Sequence, residues 1–455
     1  MTVAEAAALP NEAAVPAAVP STGPAAAVSP PSFESVSRLI AARGISFAEF
    51  WFTDLGGYPW RIAMAADAVT EKLFSSGLTL DGQPVGGAWD GVMLLQPRFD
   101  AVYADPSGPS LTMFCDILDP SSRAPMELEP RHVLERAANL VEERLGAKLV
   151  LGAEPEFILL QPDGKPAGER VVWDFLRGLA LALGEAGVKV DWFRTGPASG
   201  QGRVQMRAGA PLLMADRVML YRQCASTLSR AQGLKVAFLP RPLAGGGTPG
   251  MPIHLALWKD GVNLFHDGRG WALTSPLCRS FAAGLLTHLR SLAAFCAPTS
   301  NSYRRLISGV SGPTSPLLSA VDRAAACRIP ARCTSPGSRR VKFCCPDSTA
   351  NPYLAFAAVL MAGLDGIERG LEAPVDGGEP MRVRMPHSLE GALDSLDGDR
   401  AYLTRTGVFT DRLVDAWIKD RWTRFVVPIR SRPHPWELAE GEEHGRTRGG
   451  DAAIT

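Results

Sequence analysis

No apolar run in this 455-residue chain is long enough to cross a bilayer. A membrane helix needs about 18 to 20 consecutive apolar residues, and the best candidate, Leu354 to Leu364, stops short of that. Charge of one sign is also missing. Forty-seven basic residues face forty-seven acidic ones, which argues against an extended surface for nucleic acid or for an anionic membrane. The N-terminus lacks the basic opening of a secretory signal, because Glu5 and Glu12 precede the first basic residue, Arg38. Evenly spaced cysteines are lacking too: eight are scattered from Cys115 to Cys345. A chain of this length needs no disulfide framework, so reduced thiols and a cytoplasmic location are expected.

What is present is an ordinary globular composition, 46% hydrophobic and 21% charged, in a chain longer than one core usually serves. Residues 1–32 are Ala/Pro-rich with few side chains able to bury surface, and they are expected to form a disordered tail. Helical periodicity is read from Ser37 to Arg43, followed by a strand from Phe47 to Asp54 and a turn at Gly56-Gly57. A proline-rich passage over 119–130 marks a domain boundary. It leads into a helix from Val133 to Leu145, closed by Gly146. A second helix runs from Val171 to Ala186. A long apolar helix opens at Asn351-Pro352, where proline at the first turn costs no hydrogen bond. Residues 437–455 read as a flexible tail.

Several blocks then carry a family resemblance. Gly152-Ala153-Glu154-Pro155-Glu156-Phe157 resembles the G-x-E-x-E-F strand of glutamine synthetases. Other blocks follow in family order: Asp54-Leu55-Gly56, Leu80-Asp81-Gly82, Gly200-Gln201, Val236 to Pro242, Gly250 to Trp258, Asn301 to Leu306, Cys327 to Pro330 and Pro346 to Leu354. The resemblance spans about 33–436. It implies an α+β fold, with an N-terminal β-grasp domain over 33–125 and a catalytic-type domain over 126–436 built on a curved antiparallel sheet with flanking helices. It also implies active sites between neighbouring subunits of a homo-oligomer, a dodecamer of two hexameric rings. No tyrosine falls between Leu371 and Leu389, so the adenylylated loop of some bacterial members is not expected.

The family makes a γ-glutamyl phosphate from ATP and lets an amine displace phosphate. Mg or Mn ions bridge the charges, held mainly by carboxylates. By this resemblance Glu154 and Glu156 match two metal ligands. The remaining ligand positions carry Thr195, Arg203, Pro252 and Lys342. Ser311 stands for the mobile-loop glutamate, Gly247 for an asparagine beside the substrate, and Cys344 for an arginine. His254, Arg305, Arg328 and Arg340 match positions that bind phosphates or the substrate carboxylate. Asp81 matches the amine site, and Arg323 a catalytic arginine.

The leading reading is therefore a family member without ordinary glutamate–ammonia ligation, a pseudoenzyme acting by ligand binding or by assembly, including mixed rings with an active relative. Its ligands would be a small acid, an amine or a nucleotide. The alternative is an ATP-dependent carboxylate–amine ligase with metal-poor chemistry in nitrogen or specialised metabolism. Blander roles stay open as well: Glu154 and Glu156 as salt-bridge partners of Arg203 and Lys342, the arginines as structural ion pairs, and His254 as a packed core residue. The adjacent Cys344-Cys345, near Cys327 and Cys333, lacks zinc-site spacing and reads as buried thiols.

Overall fold

The computed structural model describes residues 32–82, 91–106, 108–307, 312–331, 333–376, 384–435 and 437. The tails expected over 1–32 and 437–455 lie outside the described residues except for Ser32 and Glu437. The chain opens with α1 (Phe33–Arg43). Ser32 caps it through a reciprocal pair with Ser35, and Gly44 ends it in the left-handed region at φ 59°. This helix begins four residues earlier than its periodicity suggests, because the cap and not the first apolar residue sets the start.

Five strands follow: β1 (Phe47–Thr53), β2 (Pro59–Ala65), β3 (Leu78–Asp81), β4 (Val92–Ala104) and β5 (Ser110–Leu118), with the short α2 (Glu71–Ser76) before β3. They form one sheet in the order β2-β1-β5-β4-β3, with β1 and β5 parallel at its centre and the other pairs antiparallel. That is the mixed topology of a β-grasp fold. The central strands bury both faces, β5 most completely, whereas edge strand β2 alternates exposed and half-buried residues.

The helix α3 (Pro130–Leu145) has Glu129 accepting from the Arg131 and His132 amides, Pro130 in its first turn, and Gly146 at φ 58° beyond its end. Two sheets then share the chain. One has the order β10-β7-β9-β8, from β7 (Glu156–Leu160), β8 (Val190–Thr195), β9 (Gln201–Met206) and β10 (Lys235–Ala237). The other has the order β12-β11-β15-β14-β13, with β6 (Lys148–Ala153) also pairing β11 (Ile253–Lys259). Its remaining strands are β12 (Val262–Asn263), β13 (Ser315–Ser319), β14 (Ala325–Arg328) and β15 (Val341–Phe343). Pairing is antiparallel except between β13 and β14.

Helices α4 (Glu169–Glu185), α5 (Pro211–Ala231), α6 (Pro276–Thr287), α7 (Leu289–Cys296), α8 (Ser300–Leu306), α9 (Pro352–Glu368), α10 (Leu389–Gly398), α11 (Ala401–Thr404) and α12 (Asp411–Arg421) add buried residues to the core. The fold is mixed α+β. Every residue of α9 from Pro352 to Gly366 is buried, as its apolar run from Leu354 to Leu364 requires, and the buried Asp365 is paired with His288, Arg369 and Arg405. It lies so close to α6 that a Cβ on Gly284 would sit 2.0 Å from the Ala362 carbonyl, and one on Gly366 2.2 Å from the Ser280 carbonyl. No helix of the described residues is long and apolar enough to cross a membrane.

Candidate active site

The chain changes sheets at Pro155. A proline cannot donate to a ladder, so β6 ends at Ala153 and β7 begins at Glu156. The Glu154 amide bonds the Pro252 carbonyl and the Glu156 amide bonds the Gly250 carbonyl, each at 2.9 Å. The corner is thereby pinned against the entry to β11, and two carboxylates two residues apart project to the same side. Both are almost fully buried, at 3% and 4% exposure.

Neighbouring strands bring cations to them. Arg203 on β9 stands opposite Glu156 in register and reaches both acids, with Nη1 at 3.3 Å from Glu154 Oε2 and Nη2 on Glu156 Oε1. Lys342 on β15 stands opposite His254 on β11. Its Nζ lies 2.5 Å from Glu154 Oε2, while His254 Nε2 lies 2.5 Å from Glu154 Oε1. Arg340 donates through Nε to His254 Nδ1 at 3.0 Å. With Nδ1 accepting, Nε2 carries the proton given to Glu154, so the imidazole is neutral.

The electrostatics agree with this pattern. Burial, helped by Arg340 and Lys342, pushes His254 down to about 4 despite Glu154. Burial would raise Glu154, but Lys342, His254 and Arg203 outweigh it and hold the carboxyl well below its usual range. Burial also opposes the charge of Arg203, and the two glutamates more than restore it. Among the described residues no group of three or more His, Cys, Asp or Glu is placed to hold a metal ion.

Other expected site residues sit apart or act through the backbone. Pro252 offers its carbonyl to Glu154. Thr195, at the end of edge strand β8, bonds Glu169 Oε1 at 3.4 Å and makes no bond to the carboxylate pair; it stands opposite Gly202, one position out of step with Arg203. Arg305 is buried and donates to the Cys344 and Cys345 carbonyls at 2.8 and 3.0 Å, so it braces the loop after β15. Arg328 on β14 stands beside Lys342 in register. Arg323 is exposed in the turn before β14, and Asp81 is exposed at the end of β3. Ser311 lies outside the described residues.

Gln201 is a site residue that its sequence block did not mark as one. Its Nε2 donates to Glu156 Oε2 at 2.8 Å, beside the Gly250 amide at 3.2 Å. Its place in the Gly200-Gln201 pair was the available signal. At Gly247 a Cβ would meet the Ala198 Cβ at 2.7 Å, so this backbone leaves no room for an asparagine. All eight cysteines are buried and free. Burial pushes the Cys345 thiol up to about 12, and Cys327 well upward.

The model of the glutamine synthetase catalytic domain matches residues 165–440. The glutamine synthetase of Mycolicibacterium smegmatis is 32% identical over 89% of this chain and 98% of its own length. Among solved structures, a complex titled GmaS with ADP superposes with a TM-score of 0.78 at 24% identity, covering 90% of this chain and 99% of that one. The Plasmodium falciparum glutamine synthetase superposes at 0.80 with 18% identity, covering 90% and 99%. These two likenesses show the shared fold. With its catalytic-domain match and a relative aligned over nearly the full length, the chain belongs to the glutamine synthetase family.

Proposed function

We propose that this chain is a cytoplasmic glutamine synthetase-family protein that does not carry out metal-dependent ligation of glutamate and ammonia, and that it acts by binding a ligand or by assembly. The observation that carries this is the ion pairing of Glu154 and Glu156 with Arg203 and Lys342. Mg or Mn would need those carboxylate oxygens as ligands. To reach them, the ion would have to displace two cations held by strand pairing. A divalent ion about 4 Å from one fixed cation is repelled by about 8 kcal/mol at an effective dielectric of 20. The residues present do not fit the metal.

Assembly with copies of itself, or with an active relative, would follow the ring architecture that the family resemblance implies. A γ-glutamyl hydroxamate assay on pure protein with ATP and Mg²⁺ or Mn²⁺ tests the reading. No product is expected. Metal-dependent product that disappears in the Glu154→Ala, Glu156→Ala double variant would sink it.

One observation favours a second reading. Arg203 and Lys342 hold fixed positive charge against Glu156 and Glu154, the pair that the resemblance expects to bind metal, and the similar fold titled GmaS holds ADP. A ligase using those cations in place of metal would release ADP and phosphate from ATP in the presence of EDTA, a carboxylic acid such as glutamate and an amine. The first reading predicts no release.

A further inference from the structure

Away from the candidate active site, the seam between the five-stranded sheet and the helices holds a second cluster of buried charge. Asp116 on β5, Glu129 at the cap of α3 and Asp216 on α5 are 9%, 1% and 1% exposed, and Arg131, at 3%, is buried among them. Two of the acids engage that guanidinium. Arg131 Nη1 lies 2.6 Å from Asp116 Oδ1, while Nε and Nη2 lie 3.3 and 3.2 Å from Asp216. Tyr353 on α9 gives Asp216 a further donor at 2.7 Å. Arg98 on β4 reaches Asp116 at 3.3 Å but is shared with Asp100 and Glu135.

Glu129 is left with backbone partners. Its carboxyl accepts from the Arg131 amide at 3.0 Å and the His132 amide at 2.5 Å. Among the described residues, no Lys, Arg or His side chain lies within 4.0 Å of it. Cys115 and Tyr353, which also face it, bring no positive charge, and Arg136, farther along α3, bonds the Gly407 carbonyl at 3.0 Å. A buried carboxyl that faces another acid and lacks a cation favours its protonated form. Burial, and then the charge of Asp116, push Glu129 up to about 8 against the pull of Arg131 and the two amides.

We propose that Glu129 is a proton-held latch between the five-stranded sheet and α3: the seam closes on the neutral acid, and as the proton leaves for solvent the new charge opposes Asp116 and loosens it. In the unfolded chain the same group titrates near 4.5. Between the two values the folded chain keeps a proton that the unfolded chain gives up, so the latch weakens as pH rises and has nothing further to lose well above 8.

Scanning calorimetry of the full chain at pH 7, in phosphate and in Tris, counts the protons released on unfolding, because the two buffers differ in ionisation heat. The parent should release about one more than Glu129→Gln. Hydrogen exchange on a peptide spanning the Arg131 and His132 amides, corrected for intrinsic rates, reads the seam itself. Protection should fall about tenfold between pH 7 and pH 9 in the parent and stay level in Glu129→Gln. Asp116→Asn removes the facing charge and leaves Glu129 in place, so it should lower the proton count and move the loss of protection to lower pH. Equal proton counts in the parent and Glu129→Gln would overturn the latch, as would parental protection that does not change with pH. An Asp116→Asn protein with the parent's count and profile would overturn it too, and that variant decides the matter if Glu129→Gln does not fold.

Discussion

Replacing Lys342 with methionine removes one charge from the centre of the site and keeps most of the side-chain volume. At 2.5 Å from Glu154 Oε2, the attraction lost is about 7 kcal/mol gross at an effective dielectric of 20. Much of this is offset because the ammonium no longer has to be desolvated. What remains is Glu154 and Glu156 sharing Arg203, a net negative charge around a carboxylate that is 3% exposed. Breaking a buried pair in this way typically costs about 3–5 kcal/mol. Glu154→Gln alone should also destabilise, by stranding Lys342. In the double variant neither partner is stranded, so the two effects should fall short of adding by about 2–3 kcal/mol. Urea unfolding of the four proteins at pH 7.5 gives this coupling. A coupling below about 0.5 kcal/mol would show that the pair is not a fixed substitute for metal charge.

Acid should weaken the fold through His254. The folded value of about 4 lies below the unfolded 6.5, so the unfolded chain takes up a proton that the folded site refuses. That stability is present above about pH 6.5 and is lost as pH falls toward 4, about 2 kcal/mol of it by pH 5. His254→Gln should flatten this part of the urea-midpoint profile, and an unchanged profile would refute the assignment. Arg131 on α3 joins Asp116 of β5 at 2.6 Å to Asp216 of α5 at 3.2 Å, and Tyr353 also donates to Asp216. Arg131→Met should therefore cost about 3–5 kcal/mol, read as a lowered urea midpoint. Gly247→Asn, which installs the asparagine that the resemblance expects there, should cost about 1–3 kcal/mol by overpacking against Ala198. A thermal midpoint equal to that of the parent would contradict it.

Much of the fold was legible because its signals are local. Gly146 closes α3, and Asn351-Pro352 opens α9. In both cases a cap or a missing amide acts within one turn, and sequence order displays it. The starts of α1 and α3 were less legible. Their caps, Ser32 and Glu129, lie several residues before the apolar periodicity begins. The Glu154–Glu156 pair was visible through its family block, although the single strand expected across it is broken at Pro155 into β6 and β7. Gln201 and Arg305 were harder to place, since what each side chain bonds depends on which strand or loop lies beside it.

The order of residues alone determined that this chain carries the glutamine synthetase blocks, and it raised the expectation that Thr195, Arg203, Pro252 and Lys342 stand where the family has metal ligands. It could not decide among the roles open to those residues. That decision came from β7, β9, β11 and β15 meeting at the Pro155 corner, where Arg203 spans both glutamates, Lys342 closes on Glu154, and Thr195 turns to Glu169. Ion pairing falls off over a few ångströms while these residues are up to 188 positions apart, so only the folded chain could bring the charges together.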